Sequence, residues 1–229
     1  DAGSSHTNYL WNTGETTQTI YADTAGTYSV TVGNGTPVTN NNSLSFDGQD
    51  DYIQINNSLI SNDFTWLFNI KNLELNSNNY VVDSRTSSAD GFFIYYNGSS
   101  NIIEYGITTN NTYWDTYNFT ENIGGWEKIG IQKHNNYLKL FYNENFIDSV
   151  PIPSSINYSN IHYLGKRYGS GTDHYWNGNI DDISTWNTAL TQKEIQTYMT
   201  SPPTGNEAGL VGYWNFNEGS GTTVTDLSG

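Results

Sequence analysis

An all-β sandwich or jelly roll is the fold class that this sequence predicts, and three observations carry the prediction. The apolar content is dominated by aromatic and β-branched residues, with 18 Tyr, 9 Phe and 7 Trp among 229 residues, and such side chains suit a pleated surface. Short apolar segments follow one another closely and are separated by Asn, Asp, Gly and Ser, as antiparallel strands joined by tight turns require. A single stretch near the C-terminus has helical periodicity together with a helix start signal.

Residues 1–36 read as a unit of their own, with strands over 9–11, 18–21 and 28–32 and turns at Gly14 and Gly26. A polar segment with one proline and a run of asparagines, 37–43, reads as a linker. In "LSFDGQDDYIQI" Leu44 and Phe46 alternate with serine, and Ile53 and Ile55 flank Gln54, which is the period of half-buried strands. The acidic turn 47–51 between them is expected to close a hairpin. Further strands are predicted at 64–70, 80–82, 92–96, 102–105, 126–131, 137–142, 146–150, 161–164 and 180–186. Tyr95 and Tyr96 should divide between surface and core along one strand.

Two polar segments rich in aromatics, 110–119 and 165–178, read as loops. In "TALTQKEIQTYMTSPP" Thr191 and Glu194 have capping-box spacing, Leu190, Ile195, Tyr198 and Met199 form an apolar stripe, and Pro202-Pro203 end the helix. The segment 210–216 should fold back as a strand beside the preceding ones, because Val211, Tyr213 and Trp214 would otherwise be exposed.

Composition excludes several functions. The chain carries 23 acidic and 8 basic residues, a net charge of −15; nucleic-acid binding needs clustered Lys and Arg, and an anionic membrane surface would repel such a chain. Cations, neutral glycans and basic partners suit this field. No apolar run reaches the length of a membrane span, so membrane insertion is not expected. With no cysteine there is no disulfide, zinc thiolate or cysteine nucleophile. His6, His134, His162 and His174 have neither zinc nor triad spacing. The lack of disulfides fits a bacterial surface or secreted protein, and the chain reads as a fragment of something longer. Residues 1–36 hold about half of a sandwich and should be completed by sequence outside this chain or by strand addition from a neighbouring subunit, a homo-oligomer or filament contact.

Three motifs carry a resemblance. FDG-x-D-DY-I at 46–53, G-x-IDD-I-x-x-W-N-x-ALT-x-x-EI at 178–195 and GLVGYWNFNEG at 209–219 together resemble the laminin-G-like, concanavalin A-like lectin/glucanase jelly roll over 44–229. The order YLW-TGETTQ-I-GTYSVTV resembles the C-terminal half of bacterial Ig-like or PKD-like repeats. The first resemblance implies a concanavalin A-like jelly-roll sandwich with a structural calcium, held by a turn near the N-terminus and an aspartate on the closing strand. Calcium takes six to eight oxygens, and the implied ligands are Asp47, the Gly48 carbonyl, Asp51 and Asp181. Strand alternation sets Asp181 and Ile183 on one face and Ile180 and Asp182 on the other, and Asp181 is the aspartate expected at the solvent. From the residues alone a plain turn at Asp47-Gly48 and a capped strand at Asp181-Asp182 stay open.

Glucanases of this fold carry E-x-D-x-E or E-x-D-x-x-E. Glu74, Glu104, Glu121, Glu127 and Glu144 all lack the aspartate two residues on, so no catalytic residue is assigned and the chain reads as non-enzymatic. A ligand site is expected from Tyr113, Trp114 and Tyr117 in one loop and Arg167 and Tyr168 in the other, since aromatic faces flanked by polar groups suit sugars. The expectation is therefore an extracellular binding or adhesion module for a glycan or a neighbouring surface protein. Its alternatives are a structural spacer or polymerising segment of a bacterial surface appendage, and an accessory domain of a secreted polysaccharide-degrading enzyme.

Overall fold

Every strand of the computed structural model pairs antiparallel with its neighbours. The structure describes residues 8–11, 30–33, 42–56, 63–72, 78–85, 90–100, 102–108, 112–118, 125–153, 156, 161–169, 174–221 and 223–229. The chain divides into two compact units, Asp1–Asn41 and Asn42–Gly229. In the first, β1 (Asn8–Trp11) pairs with β2 (Val30–Gly33). The strand expected at 18–21, and most of what would make this unit an Ig-like repeat, lie outside the described residues.

The second unit holds β3 (Leu44–Asp47), β4 (Ile53–Asn56), β5 (Phe64–Asn72), β6 (Asn78–Asp83), β7 (Gly91–Asn97), β8 (Ile102–Thr108) and β9 (Thr112–Asn118). After these come β10 (Glu127–His134), β11 (Tyr137–Tyr142), β12 (Asn145–Pro151), β13 (Ile161–Leu164), β14 (Asn177–Trp186), α1 (Gln192–Thr200) and β15 (Leu210–Trp214). Among the described residues one sheet runs β12-β11-β10-β5-β14, with β15 and β3 each paired to one half of β14, and the other runs β4-β13-β6-β7-β8-β9. The core lies between them, where alternate residues of facing strands meet: Trp66, Phe68 and Ile70 from β5, Phe92, Ile94 and Tyr96 from β7, and Ile103, Tyr105 and Ile107 from β8. Tyr96 is fully buried while Tyr95 is half-buried on the other face, as the period of a strand requires.

Helix α1 packs on the outer side of the β5 sheet. Thr191 and Glu194 form both bonds of the capping box, and Ile195 and Met199 bury against Leu67, Phe141, Trp186 and Leu190. The contact is close: a Cβ on Gly130 of β10 would stand 2.9 Å from both Leu67 Cδ2 and Met199 Cε. Strand β15 does return to the sheet, pairing Ile183 with Trp214 and Ser184 with Tyr213. Its free edge is covered by the following segment, where Leu227 N–H donates to the Tyr213 carbonyl at 2.7 Å.

Three expectations need correction. The acidic turn does not close a hairpin: β3 pairs with β14 in one sheet and β4 with β13 in the other, so the turn crosses between layers. Both flanking strands then present apolar residues to one core, Phe46 and Leu44 from one side and Ile53 and Ile55 from the other. Residues 112–118 are not a loop but the edge strand β9, paired to β8 along its whole length; an edge strand tolerates polar residues that mimic loop composition. Finally, β14 does not alternate strictly. A bulge between Asp181 and Ser184, with Asp182 at φ +47°, inserts extra backbone. Ile180 and Ile183 therefore both reach the core, and Asp181 is buried rather than solvent-facing.

Candidate ligand-binding face

The outer face of the β4–β9 sheet is paved with aromatic and polar side chains. Pairing register sets Gln54, Tyr163, Asp83, Phe93, Gly106 and Trp114 in one row across β4, β13, β6, β7, β8 and β9. The adjacent row holds Tyr80, Tyr95, Glu104 and Thr116. These positions alternate with the buried Val82, Ile94, Tyr105 and Ile107, so the core fixes which side chains are left outside.

An ion pair organises the centre of this face. The Asp83 side chain is fully buried and receives Arg85 Nη2 at 2.6 Å and Arg85 Nε at 2.8 Å, a bidentate fork. Backbone N–H groups of Arg85 and Tyr168 donate to the same carboxylate at 3.0 and 3.1 Å. Burial opposes the Arg85 charge, but the hydrogen bonds and charge of Asp83 outweigh it, and the guanidinium pKa is raised. The guanidinium in turn lies 4.4 Å from the Phe93 ring centroid and 5.2 Å from that of Tyr80.

The segment after β13 folds over one side of the face, held by Gly165 N–H to the Val81 carbonyl at 3.0 Å and Trp176 N–H to the Gly165 carbonyl at 2.7 Å. It brings His174 against Tyr80 and Tyr95, whose own rings are 4.9 Å apart. It also brings Tyr168 beside Tyr163, and Lys166 Nζ over the rings of Tyr52 and Tyr163. Beyond Tyr95, burial raises the carboxyl pKa of Glu104, and burial and then Glu104 itself raise the Tyr95 phenol. The result is a strip of rings crossing several strands, edged by Gln54, Arg85, His174 and Glu104, which can stack flat apolar faces and bond hydroxyls.

Of the residues predicted for a ligand site, Tyr168 stands on this strip and Arg167 is exposed beside it. Trp114 shares the register row of Gly106 and Phe93, whereas Tyr113 and Tyr117 pair with the buried Ile107 and Ile103; the side chains of these three lie outside the described ones. Sequence reasoning missed Tyr80, Arg85, Phe93, Glu104, Tyr163 and His174. The available signal was β7 itself, where the positions on the outer face of the sheet are Tyr95 and Phe93, the latter buried beneath Arg85, instead of polar residues.

The acidic turn lies at the rim. Carboxylate oxygens of Asp47, Asp50 and Asp51 stand within 4.8 Å of one another, all three residues being exposed. The turn is shaped by Gly48 at φ +78°, by Gln49 N–H donating to Asp47 Oδ1 at 2.8 Å, and by Asp47 N–H donating to Asp51 Oδ2 at 3.0 Å. Three carboxylates and a bent backbone are an all-oxygen donor set of the kind a hard cation takes. Asp181 is not brought to it. Asn177, not Asp181, is the register partner of Asp47, and four residues of strand separate the two, about 13 Å. Asp181 accepts the Asp182 N–H at 2.8 Å, and Asp182 accepts from Asn69 Nδ2 at 3.0 Å. Asp50, which the sequence reading left out, stands in the cluster instead.

A family model described as the concanavalin A-like lectin/glucanases superfamily matches residues 47–196. Among curated proteins the chain is similar to an α-L-arabinofuranosidase of Bifidobacterium longum subsp. longum, 27% identical over 199 residues. That match takes in 75% of this chain but spans only 18% of the relative's length. Among solved structures it is similar in fold to a SAP-like pentraxin of Limulus polyphemus, with TM-score 0.58, 15% identity, and 81% and 91% of the two chains covered. It is likewise similar to the CBM40 of a Ruminococcus gnavus IT-sialidase bound to α2,3-sialyllactose, with TM-score 0.56, 15% identity, and 69% and 96% covered.

Proposed function

The chain belongs to the concanavalin A-like lectin/glucanases superfamily, and from that premise we propose that residues 42–229 form a non-catalytic, extracellular glycan-binding module whose ligand lies across the β4–β9 sheet. The observation that carries this reading is two groups of rings on one face, Tyr52, Tyr163 and Tyr168 at one end and Tyr80 and Tyr95 at the other, joined through Asp83 and Arg85. Aromatic faces take the apolar side of a sugar ring, and placed polar groups set its orientation. That similar folds include a domain bound to sialyllactose supports the same reading. Hydrolysis by paired carboxylates is disfavoured, because Asp83 is locked under Arg85 and leaves Glu104 without a second free carboxylate on this face among the described residues.

A structural calcium is part of the proposal, held by Asp47, the Gly48 carbonyl, Asp50 and Asp51; it would pin the crossing between the two sheets. A second reading, an accessory module of a longer glycan-degrading enzyme, is favoured by the match to one stretch of an arabinofuranosidase. A glycan array that includes arabinofuranosides tests both. Binding to some array glycan, with affinity reduced by about 2 kcal/mol or more in Tyr95→Ala as for a stacked hot spot, is the expected result. A folded protein that binds no glycan, or binds equally well without Tyr95 and Tyr80, would overturn it.

A further inference from the structure

Resting on the glycan-binding reading above, we propose that one end of the strip is a cation pocket, and that the preferred glycans carry a free, protonated amino group. The Lys166 ammonium stands 3.4 Å from the Tyr52 ring centroid and 4.5 Å from that of Tyr163, with Tyr168 flanking Tyr163 at 6.2 Å. None of the ion pairs among the described residues involves Lys166. Tyr52 is 46% exposed and Tyr163, Tyr168 and Lys166 are half-buried, so the rings open to solvent. An ammonium over exposed tyrosine faces is held by the ring quadrupole alone, which is a weak grip. The flexible lysine stem can therefore withdraw and leave the rings to another cation.

What surrounds the rings selects the charge of that cation's carrier. Tyr52 directly follows Asp51, and a Cβ on Gly165, next to Lys166, would stand 3.4 Å from the Asp51 carbonyl oxygen. The Asp51 backbone thus runs beside the cage, in a chain of net charge −15. The net negative field draws in a ligand ammonium and opposes a ligand carboxylate. A neutral or N-acetylated sugar gains ring stacking here but neither the cation–π contact nor the attraction of the field. The remainder of the glycan would continue over Arg85, Tyr80 and Tyr95.

The test is a matched pair of probes, the β-1,4-linked tetramers of glucosamine and of N-acetylglucosamine, titrated calorimetrically below the pKa of the amine. The wild-type protein should bind the free-amine tetramer at least several-fold more tightly. Tyr52→Phe should keep that preference and Tyr52→Leu should lose it, while Lys166→Ala, by emptying the cage, should strengthen binding of the amine form. Equal affinity for the two tetramers, or a preference that survives Tyr52→Leu, overturns the proposal. Binding of neutral array glycans with neither tetramer bound also overturns it and leaves the glycan-binding reading standing; a folded protein that binds no glycan at all removes both.

Discussion

Asp83 is the residue on which the ligand face depends most. Its carboxylate is wholly buried and collects Arg85 and two backbone N–H groups from separate segments. Asp83→Asn would leave a largely buried guanidinium without its charge partner, and breaking such a pair costs about 3–5 kcal/mol. Chemical denaturation should show a loss near that size, along with weaker glycan binding as Arg85 leaves Phe93. Glu104 makes the opposite kind of prediction. Its folded-state pKa is raised by burial, so the native protein binds this proton more readily than the unfolded chain does. Stability then falls as pH rises through the window between the ordinary glutamate value and the raised one. Glu104→Gln should therefore melt higher than wild type at about pH 7, and the gain should vanish below about pH 4, where both states are protonated. Glu207 and Glu218, whose pKa values are lowered by hydrogen bonds from Thr204 and Thr225 that outweigh burial at Glu207, lose their contribution as pH falls instead.

The acidic turn is the element where composition and register part company. Three aspartates within five residues suggested a cation site, and pairing of β3 with β14 and of β4 with β13 makes that turn the link between layers. A cation held there in the folded state alone would raise the melting temperature as RT ln(1 + [L]/Kd). Calcium is expected to raise it, Asp51→Asn to abolish the rise, and Asp181→Asn to lower stability while leaving the rise intact. A melting temperature indifferent to both calcium and chelator would remove the ion from the proposal. The same element shows why the hairpin expectation failed. Period-2 alternation reports which residues face a core, and two strands in opposite sheets face the same core.

For the whole molecule, closure of the sandwich rests on the segment after the helix. Strand β15 completes one half of β14, Tyr213 and Phe216 are buried, and Leu227 caps the free edge of the ladder. Removal of a buried Phe or Tyr side chain alone costs about 3–5 kcal/mol, against a total stability of about 5–15 kcal/mol for a domain. Truncation after residue 208 should abolish cooperative unfolding and near-UV dichroism. A truncated protein that melts within a few degrees of the parent would show that β15 is dispensable.

Local features of the sequence determined a good part of this architecture. Alternating apolar residues placed most strands, Thr191 and Glu194 fixed the helix start, and the uncovered Val211, Tyr213 and Trp214 foretold that β15 would return to the sheet. These are legible because a strand's period, a capping box and an exposed apolar segment each act within a few residues. The ligand face was not legible in the same way. Tyr163, Asp83 and Phe93 stand in one row, though they come from three strands separated in the chain, and Arg85 and Lys166 lie on rings supplied by other segments. The bulge at Asp182 displaced Asp181 from the position that strict alternation gave it. Register, bulges and the crossing of the acidic turn are set by the packing of two sheets on one core. Only the tertiary structure, where non-local pairs compete for that shared space, could decide them.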